Sequence, residues 1–422
     1  MQIHYARLTA ALSLCGLLAS SPATAADPNF VETEVTVHLT LLTEQNGSSF
    51  GWVSETLGDI NADGADDFII TAPFLLDGAG NNIGRAYVYS GANGALLASH
   101  SGQPGELMGL SGSSAGDVDG DGVTDYVAGT LSRVLVWSGA THQLLWQQHR
   151  GGENFGFDVD TAGDIDGDGL SEVIVGASAA SANGNASGAV YLLAGADGSV
   201  LWRRDGDQAL DRLGSGVGRL GDVNGDGLPD VVAGARSGGL KDRGIAYALS
   251  GADGSVLYEM APVGLPAQPI SSFATFHAAG GGDVDGDGIG DIFIGDFAAR
   301  RGPLNSRAGR AYVYSGANGS RLHLFNAENN NDGIGPGRIV PDADGDGLAD
   351  IFVAAFTFGP GQEGKAYLRS GLTGELLRAM TGTQAQAFLG VDAAAAGDVN
   401  GDGLPDYLLT GFEVAHIILG TP

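Results

Sequence analysis

From about residue 49 onward, short apolar runs alternate with Gly-rich turns, and the alternation repeats along the chain. Runs such as Phe68-Ile69-Ile70, Val173-Ile174-Val175 and Ile292-Phe293-Ile294 are rich in β-formers and each follows an acidic turn. A second run follows, as in Gly84-Arg85-Ala86-Tyr87-Val88-Tyr89 and Gly309-Arg310-Ala311-Tyr312-Val313-Tyr314. Asn93-Gly94, Asp197-Gly198, Asp253-Gly254 and Asn318-Gly319 then mark tight hairpins leading into a last strand. No segment is long and periodic enough for a helix, so each unit predicts about four strands.

The acidic turns begin at Asp59, Asp117, Asp164, Asp222, Asp283, Asp342 and Asp398, at intervals of 58, 47, 58, 61, 59 and 56 residues. Repeats therefore start near 49, 107, 153, 211, 271, 333 and 386. Seven four-stranded units repeated radially predict an all-β fold, a seven-bladed β-propeller. The short interval follows from Ala128 to Arg133, which joins two strands directly where other units carry a longer loop. The seventh unit ends at a third strand, Val414 to Leu419, with no fourth after it. Near the other end, Val35-Thr36-Val37-His38-Leu39-Thr40-Leu41 alternates apolar and polar residues and has no acidic turn of its own. A strand over about 35–42 is thus expected to complete the last blade and close the ring.

Composition narrows the function classes. With 50 Asp and Glu against 20 Lys and Arg, the chain carries a net charge of -30, which disfavours nucleic acid and anionic membrane surfaces as partners. The 422 residues include a single Cys, Cys15, so no intramolecular disulfide supports the fold. Residues 1–26 read as a secretory signal: Arg7, an apolar stretch from Leu8 to Ala19, and the small residues Ala23-Thr24-Ala25. No later run is long enough to span a bilayer. The expectation is a secreted, periplasmic or cell-surface monomer made of one propeller over 27–422.

The acidic turns carry the chemistry. Their pattern is Asp-x-[Asp/Asn]-x-Asp-Gly-x-x-[Asp/Glu], filled by Asp59, Asn61, Asp63 and Asp67; Asp117, Asp119, Asp121 and Asp125; and Asp164, Asp166, Asp168 and Glu172. The later copies are Asp222, Asn224, Asp226 and Asp230; Asp283, Asp285, Asp287 and Asp291; Asp342, Asp344, Asp346 and Asp350; and Asp398, Asn400, Asp402 and Asp406. Oxygen-bearing side chains at positions 1, 3, 5 and 9, with Gly at 6 for a sharp turn, suit a hard cation taking six to eight oxygens, which is calcium. The carbonyls at position 7, those of Ala65, Val123, Leu170, Leu228, Ile289, Leu348 and Leu404, are expected to add a ligand. An EF-hand is excluded because its Glu at position 12 is replaced by Ile70, Ala128, Val175, Ala233, Ile294, Val353 and Leu409. Half of the 50 acids lie in these loops, and seven divalent ions would take the net charge from -30 to -16. The sixth loop stands apart because Pro341 precedes Asp342 where other copies have Gly. Each loop reads as self-contained.

Approach, acidic loop and following strand recur in order, with Phe50-Gly51 and Phe155-Gly156 before the loop and Thr71-Ala72-Pro73, Gly176-Ala177-Ser178 and Gly234-Ala235-Arg236 after it. This resembles the FG-GAP repeat family, whose best-known members are the N-terminal propellers of integrin α-subunits, over nearly all of residues 31–422. The resemblance implies structural calcium loops on one face and partner docking on the other. On the opposite face, the expected docking residues are basic: Arg236, Lys241 and Arg243 in blade four, and Arg300, Arg301, Arg307 and Arg310 in blade five. An extracellular polysaccharide or protein is the expected partner, with an anionic one favoured by charge.

Catalytic signals are sparse. The one Gly-x-Ser-x-Gly match, Gly112 to Gly116, lies in a loop approach without the strand-to-helix context of a nucleophile elbow. Trp146, Trp202 and Tyr258 recur after the hairpins and read as packing between blades. The reading is a calcium-binding adhesion module rather than an enzyme. The alternatives are a carbohydrate-active enzyme such as a calcium-dependent polysaccharide lyase, and a structural surface protein.

Overall fold

Strand-forming runs separated by tight turns leave each unit no choice but an up-and-down sheet, and a lone sheet of this kind must bury both faces against neighbours. In the computed structural model, which describes residues 27–238, 243–262, 272–300 and 307–421, seven antiparallel four-stranded sheets do this by packing face to face around a ring. Residues 1–26, read above as a secretory signal, and Lys241 and Arg301 lie outside the described residues. No helix occurs among the described residues.

Blade one consists of Ser54–Gly58, Asp67–Ala72, Arg85–Tyr89 and Leu96–Ser101, paired in that order from the centre outward. Blades two to six repeat this plan. In blade two the strands Asp125–Gly129 and Arg133–Trp137 are joined by three residues, Thr130 to Ser132, which accounts for the short interval. Blade seven takes Asp392–Gly397, Asp406–Gly411 and Val414–Ile418 from the end of the chain, and its outer strand is Val37–Leu42. The closing strand is antiparallel to Val414–Ile418, with Thr40 opposite His416 and Leu42 opposite Val414. It starts two residues later than the alternation suggested, although Val35 is itself buried.

The core is not one mass but seven apolar clusters, each shared by two adjacent blades. The approach supplies one apolar side chain to each cluster, a Phe in blades one, three and five and Met108, Leu213, Ile334 and Leu389 in the others. Phe155 is fully buried edge-on to Tyr191 at 5.2 Å, and Phe50 and Phe273 meet Tyr87 and Tyr312 in the same way at 5.6 and 5.4 Å. Gly156 is required because its φ is +96° and an added Cβ would stand 2.5 Å from the Arg133 carbonyl. Hand-holds between blades come from the outer strands. The indole N–H groups of Trp146 and Trp202 donate to the carbonyls of Gly195 and Gly251, both at 2.6 Å, and the Tyr258 hydroxyl donates to Gly316. His323 and Arg378 hold the same place in blades five and six, meeting the carbonyls of Gly371 and Leu419 at 2.6 and 3.0 Å.

Seven innermost strands must converge on the axis, and their sequences are correspondingly small, as in Ser-Gly-Ser-Ser-Ala-Gly over Ser111–Gly116 and Asp-Ala-Ala-Ala-Ala-Gly over Asp392–Gly397. The antiparallel order sends the acidic loops and outer hairpins to one end of the strands. The loops joining second to third strands, and one blade to the next, go to the other end.

Candidate metal centres and the central channel

Each acidic loop is wound by its own carboxylates. In blade two, Asp117 accepts the N–H groups of Gly120 (2.7 Å) and Gly122 (2.9 Å), Asp119 that of Asp121 (3.1 Å), and Asp121 that of Val123 (2.8 Å). Gly122 has φ +85° with open space beside it, so the requirement there is conformational rather than steric. The acid at position 9 begins the second strand, and one oxygen of Asp125 accepts the Val118 N–H while the other accepts that of Gly139, each at 2.8 Å. The loop is thereby tied to the blade's outer hairpin.

Asp67, Asp125, Glu172, Asp230, Asp291, Asp350 and Asp406 are all fully buried, and none forms an ion pair with a Lys or Arg among the described residues. Burial pushes Asp67, Asp125 and Asp291 up to about 6, and it raises Glu172, Asp230, Asp350 and Asp406 as well. A buried carboxylate lacking a counter-charge, in a ring of further oxygens, fits a divalent cation. In four loops, three carboxylates bring oxygens within 4.8 Å of one another: Asp117, Asp119 and Asp125; Asp164, Asp166 and Glu172; Asp283, Asp285 and Asp291; Asp342, Asp344 and Asp350. The sixth loop, set apart by Pro341 in the sequence, is among these four. Loops one, four and seven have Asn at position 3, and Asn61 donates its amide N–H to Asp63 (3.0 Å) and Asp67 (3.2 Å). The residues at position 12 are fully buried in second strands, as the exclusion of an EF-hand required.

The loops are not self-contained. The Ser171 N–H in loop three donates to the Asp117 carbonyl of loop two at 2.8 Å, and the Ala349 N–H in loop six donates to Asp283 of loop five at the same distance. Adjacent loops touch because the residue before each position-9 acid faces the preceding blade, a relation invisible in any single repeat.

At the opposite end, Arg236 is half-buried, and burial together with the nearby Arg212 charge lowers its pKa. Arg300 forms an isolated antiparallel bridge with Arg307, Arg307 is exposed, and Arg310 opens the third strand of blade five. Arg243 is part-buried at the end of its loop.

The sequence reading missed the central channel. Arg338, on the innermost strand of blade six, reaches Glu55 of blade one (3.0 Å) and Asp392 of blade seven (2.8 Å). Burial opposes the Arg338 charge, but the Asp392 and Glu55 carboxylates outweigh it and hold the guanidinium above its ordinary value. Asp392 is correspondingly lowered, its own burial overcome by Arg338, while burial prevails at Glu55 and raises it. Asp392 also accepts the Ser54 N–H at 2.8 Å, so this network spans the seam of the ring. Asp158 and His277 face the same space, and burial pushes Asp158 well up and His277 down to about 4. Ser114, the central serine of the Gly-x-Ser-x-Gly match, accepts the Gly116 N–H at 3.1 Å and is not paired with a His among the described residues, so it has no activated-nucleophile geometry. The only sequence signal of this network was charge at channel positions where other blades carry Gly, Ala or Ser.

Fold and loops together define a seven-bladed β-propeller with an acidic turn in every blade. A model of the FG-GAP-like repeat matches residues 342–409, and a model of the FG-GAP repeat matches residues 155–193 and 217–249. Integrin alpha-5 of Xenopus laevis is 35% identical over 97 residues, covering 22% of this chain and 9% of that protein. Integrin alpha-PS2 of Drosophila melanogaster is 32% identical over 129 residues, covering 26% and 9%, and integrin alpha pat-2 of Caenorhabditis elegans is 34% identical over 94 residues, covering 21% and 8%. The chain thus spans about a tenth of the length of these relatives. It carries FG-GAP repeats over these segments, and its similarity to integrin alpha chains is consistent with an integrin-alpha-like FG-GAP family.

Proposed function

We propose that the protein is a secreted, calcium-binding module that docks an extracellular polysaccharide or protein through the propeller face opposite its acidic loops. The observation that carries this reading is the division of labour between strand ends. Loops with local hydrogen bonds and buried, uncompensated carboxylates occupy one end, where calcium would stiffen the ring, and the longer connections bearing Arg236, Arg243, Arg300 and Arg307 occupy the other. Calcium would be held by the side chains at positions 1, 3, 5 and 9 and the carbonyl at position 7 of each loop. The exposed Arg307 and the part-exposed Arg236, Arg243 and Arg300 on that second face favour anionic partners.

The test is a screen of the calcium-loaded chain against anionic and neutral polysaccharides and matrix proteins, with absorbance followed for unsaturated sugars. Binding without turnover that is lost in the Arg236→Ala/Arg300→Ala/Arg307→Ala variant is the expected result. Binding that survives the triple substitution would overturn the docking face. A second reading, a carbohydrate-active enzyme, is favoured by Glu55, Asp158 and His277 sharing one channel, and release of unsaturated sugar would establish it.

A further inference from the structure

The channel has an aromatic mouth on the face of the connecting loops. Trp52 of blade one meets Phe276 of blade five edge-to-face at 5.9 Å, and Phe157 of blade three stacks on Phe276 at 4.8 Å. Phe297 and Phe356 stand edge-to-face at 6.1 Å on the same rim. All five rings remain partly exposed, and none belongs to the apolar clusters that join the blades. The Trp52 indole is fixed by donating its N–H to the Leu110 carbonyl at 3.0 Å, and Phe276 is held at φ +62°. These are ordered aromatic surfaces that the packing of the ring does not consume.

Under the rim lies a cavity of about 230 Å³ with an ionic floor. The groups of that floor are already engaged with one another and with the backbone. Arg338 is shared by Glu55 and Asp392. Asp160 already accepts the Ser113 hydroxyl (2.8 Å) and the N–H groups of Thr161 (2.9 Å) and Arg219 (3.0 Å). Asp158, 7% exposed, accepts the Val217 N–H at 2.9 Å and forms no ion pair among the described residues, and its burial favours the protonated, hydrogen-bond-donating form. Among the described residues, no side-chain hydrogen bond engages His277. The floor therefore offers closely spaced donors and acceptors in which the acids Glu55, Asp160 and Asp392 outnumber the single Arg338 guanidinium. An apolar ligand would desolvate these groups without replacing their water, and an anion would meet a surplus of carboxylates around a guanidinium that is already paired.

We propose that this cavity binds one neutral pyranose residue of a glycan, its C–H face against the Trp52 and Phe276 rings and its hydroxyls on Glu55, Asp158 and Arg338. A pyranose combines the two features the site presents, a face of weakly positive C–H groups for an aromatic quadrupole and an equatorial belt of hydroxyls that both donate and accept. At about 230 Å³ the cavity is smaller than the usual ligand pocket of roughly 300–1,000 Å³, which suits a single ring. The inference rests on the channel alone and does not require the loop arginines.

The experiment is saturation-transfer NMR and calorimetry on the calcium-loaded chain. The probes are the methyl β-glycosides of glucose, galactose and mannose, N-acetylglucosamine and the matching β-1,4 disaccharides, run beside glucuronate and Nα-acetylarginine amide. At least one neutral sugar is expected to bind, with affinity falling tenfold or more in Trp52→Ala and in Asp158→Asn and unchanged in Arg300→Ala/Arg307→Ala. Phe356→Ala, at the rim, serves as a further variant should either substitution lower the melting temperature. The proposal is overturned if no neutral sugar binds, if only the arginine amide or glucuronate binds, or if binding is indifferent to these channel substitutions in folded protein. Partner docking that depends on the arginines, without any sugar in the channel, would sink this inference and leave the docking face standing.

Discussion

Closure by the N-terminal strand can be tested by covalent capture. Leu42 and Val414 are directly opposed across the seam, and Leu42 is 60% exposed, so replacing both with Cys removes little packing. The single native Cys is Cys15, ahead of the propeller, and offers no competing partner within the ring. A Leu42→Cys/Val414→Cys disulfide would close a loop of roughly 370 residues, for which the chain-entropy relation gives about 6 kcal/mol of destabilisation of the unfolded ensemble. Strain usually reduces such gains to about 2–4 kcal/mol. For a chain of this size each kcal/mol corresponds to about 1–2 °C, extrapolating the size trend of unfolding entropies. The melting temperature should therefore rise by about 2–8 °C, reversibly with dithiothreitol. Scanning calorimetry with thiol titration and non-reducing mass analysis reads both quantities. Thiols that stay free under mild oxidation, or a disulfide that forms without raising the melt, would refute the closure.

Four further outcomes follow from the loops and the seam. Chelation should lower the melting temperature in calorimetry, since a site held at 100 times its dissociation constant contributes about 2.7 kcal/mol; an unchanged melt in protein shown to be metal-free would reject structural calcium. Ser171→Pro removes the N–H given to Asp117 at a position where blades four and seven carry Pro229 and Pro405, so it should weaken calcium in loop two by about 1 kcal/mol, roughly fivefold by calorimetric titration. His416, 4% exposed and bonded to Thr40 at 3.0 Å, has its pKa lowered by burial to about 4, so the folded state binds fewer protons than the unfolded one between pH 6.5 and 4. Its contribution is present above pH 6.5 and is lost as pH falls through that window, about 3 kcal/mol in all; urea unfolding at pH 7 and 4.5 should show a shallower acid loss in His416→Gln. Arg338→Ala strands Asp392, 1% exposed, and should cost about 3–5 kcal/mol in urea, with Asp392→Asn recovering part of it; a loss below 1 kcal/mol would contradict the seam network.

What could be read in the sequence was whatever repeats within one unit. The acidic turns, the hairpins and the buried apolar position 12 are local, so seven copies reinforce one another. Trp146, Trp202 and Tyr258 were legible as packing because their chemistry stayed aromatic. His323 and Arg378 do the same work with different groups, and only their place after the hairpin betrays them. The contact of Ser171 with Asp117 joins residues 54 positions apart in different blades, and it escapes any reading of a single loop. The channel is harder still, because Glu55, Asp158, His277, Arg338 and Asp392 each come from a different blade. No window of sequence contains two of them, so the network exists only once the ring has closed.

The hand-holds between outer strands all point one way. The donors of blades two to six each reach a carbonyl of the following blade, and the Arg378 guanidinium spans the seam to both Leu419 and Glu34. The assembly therefore has a polarity that matches the direction of synthesis. Each newly made blade presents a donor that stays unsatisfied until its successor emerges, and the first strand waits for the last residues before its own sheet is complete. Closure is the longest-range event in the molecule and comes last, so a ribosome-bound chain is an open arc whose leading edge is an unpaired strand.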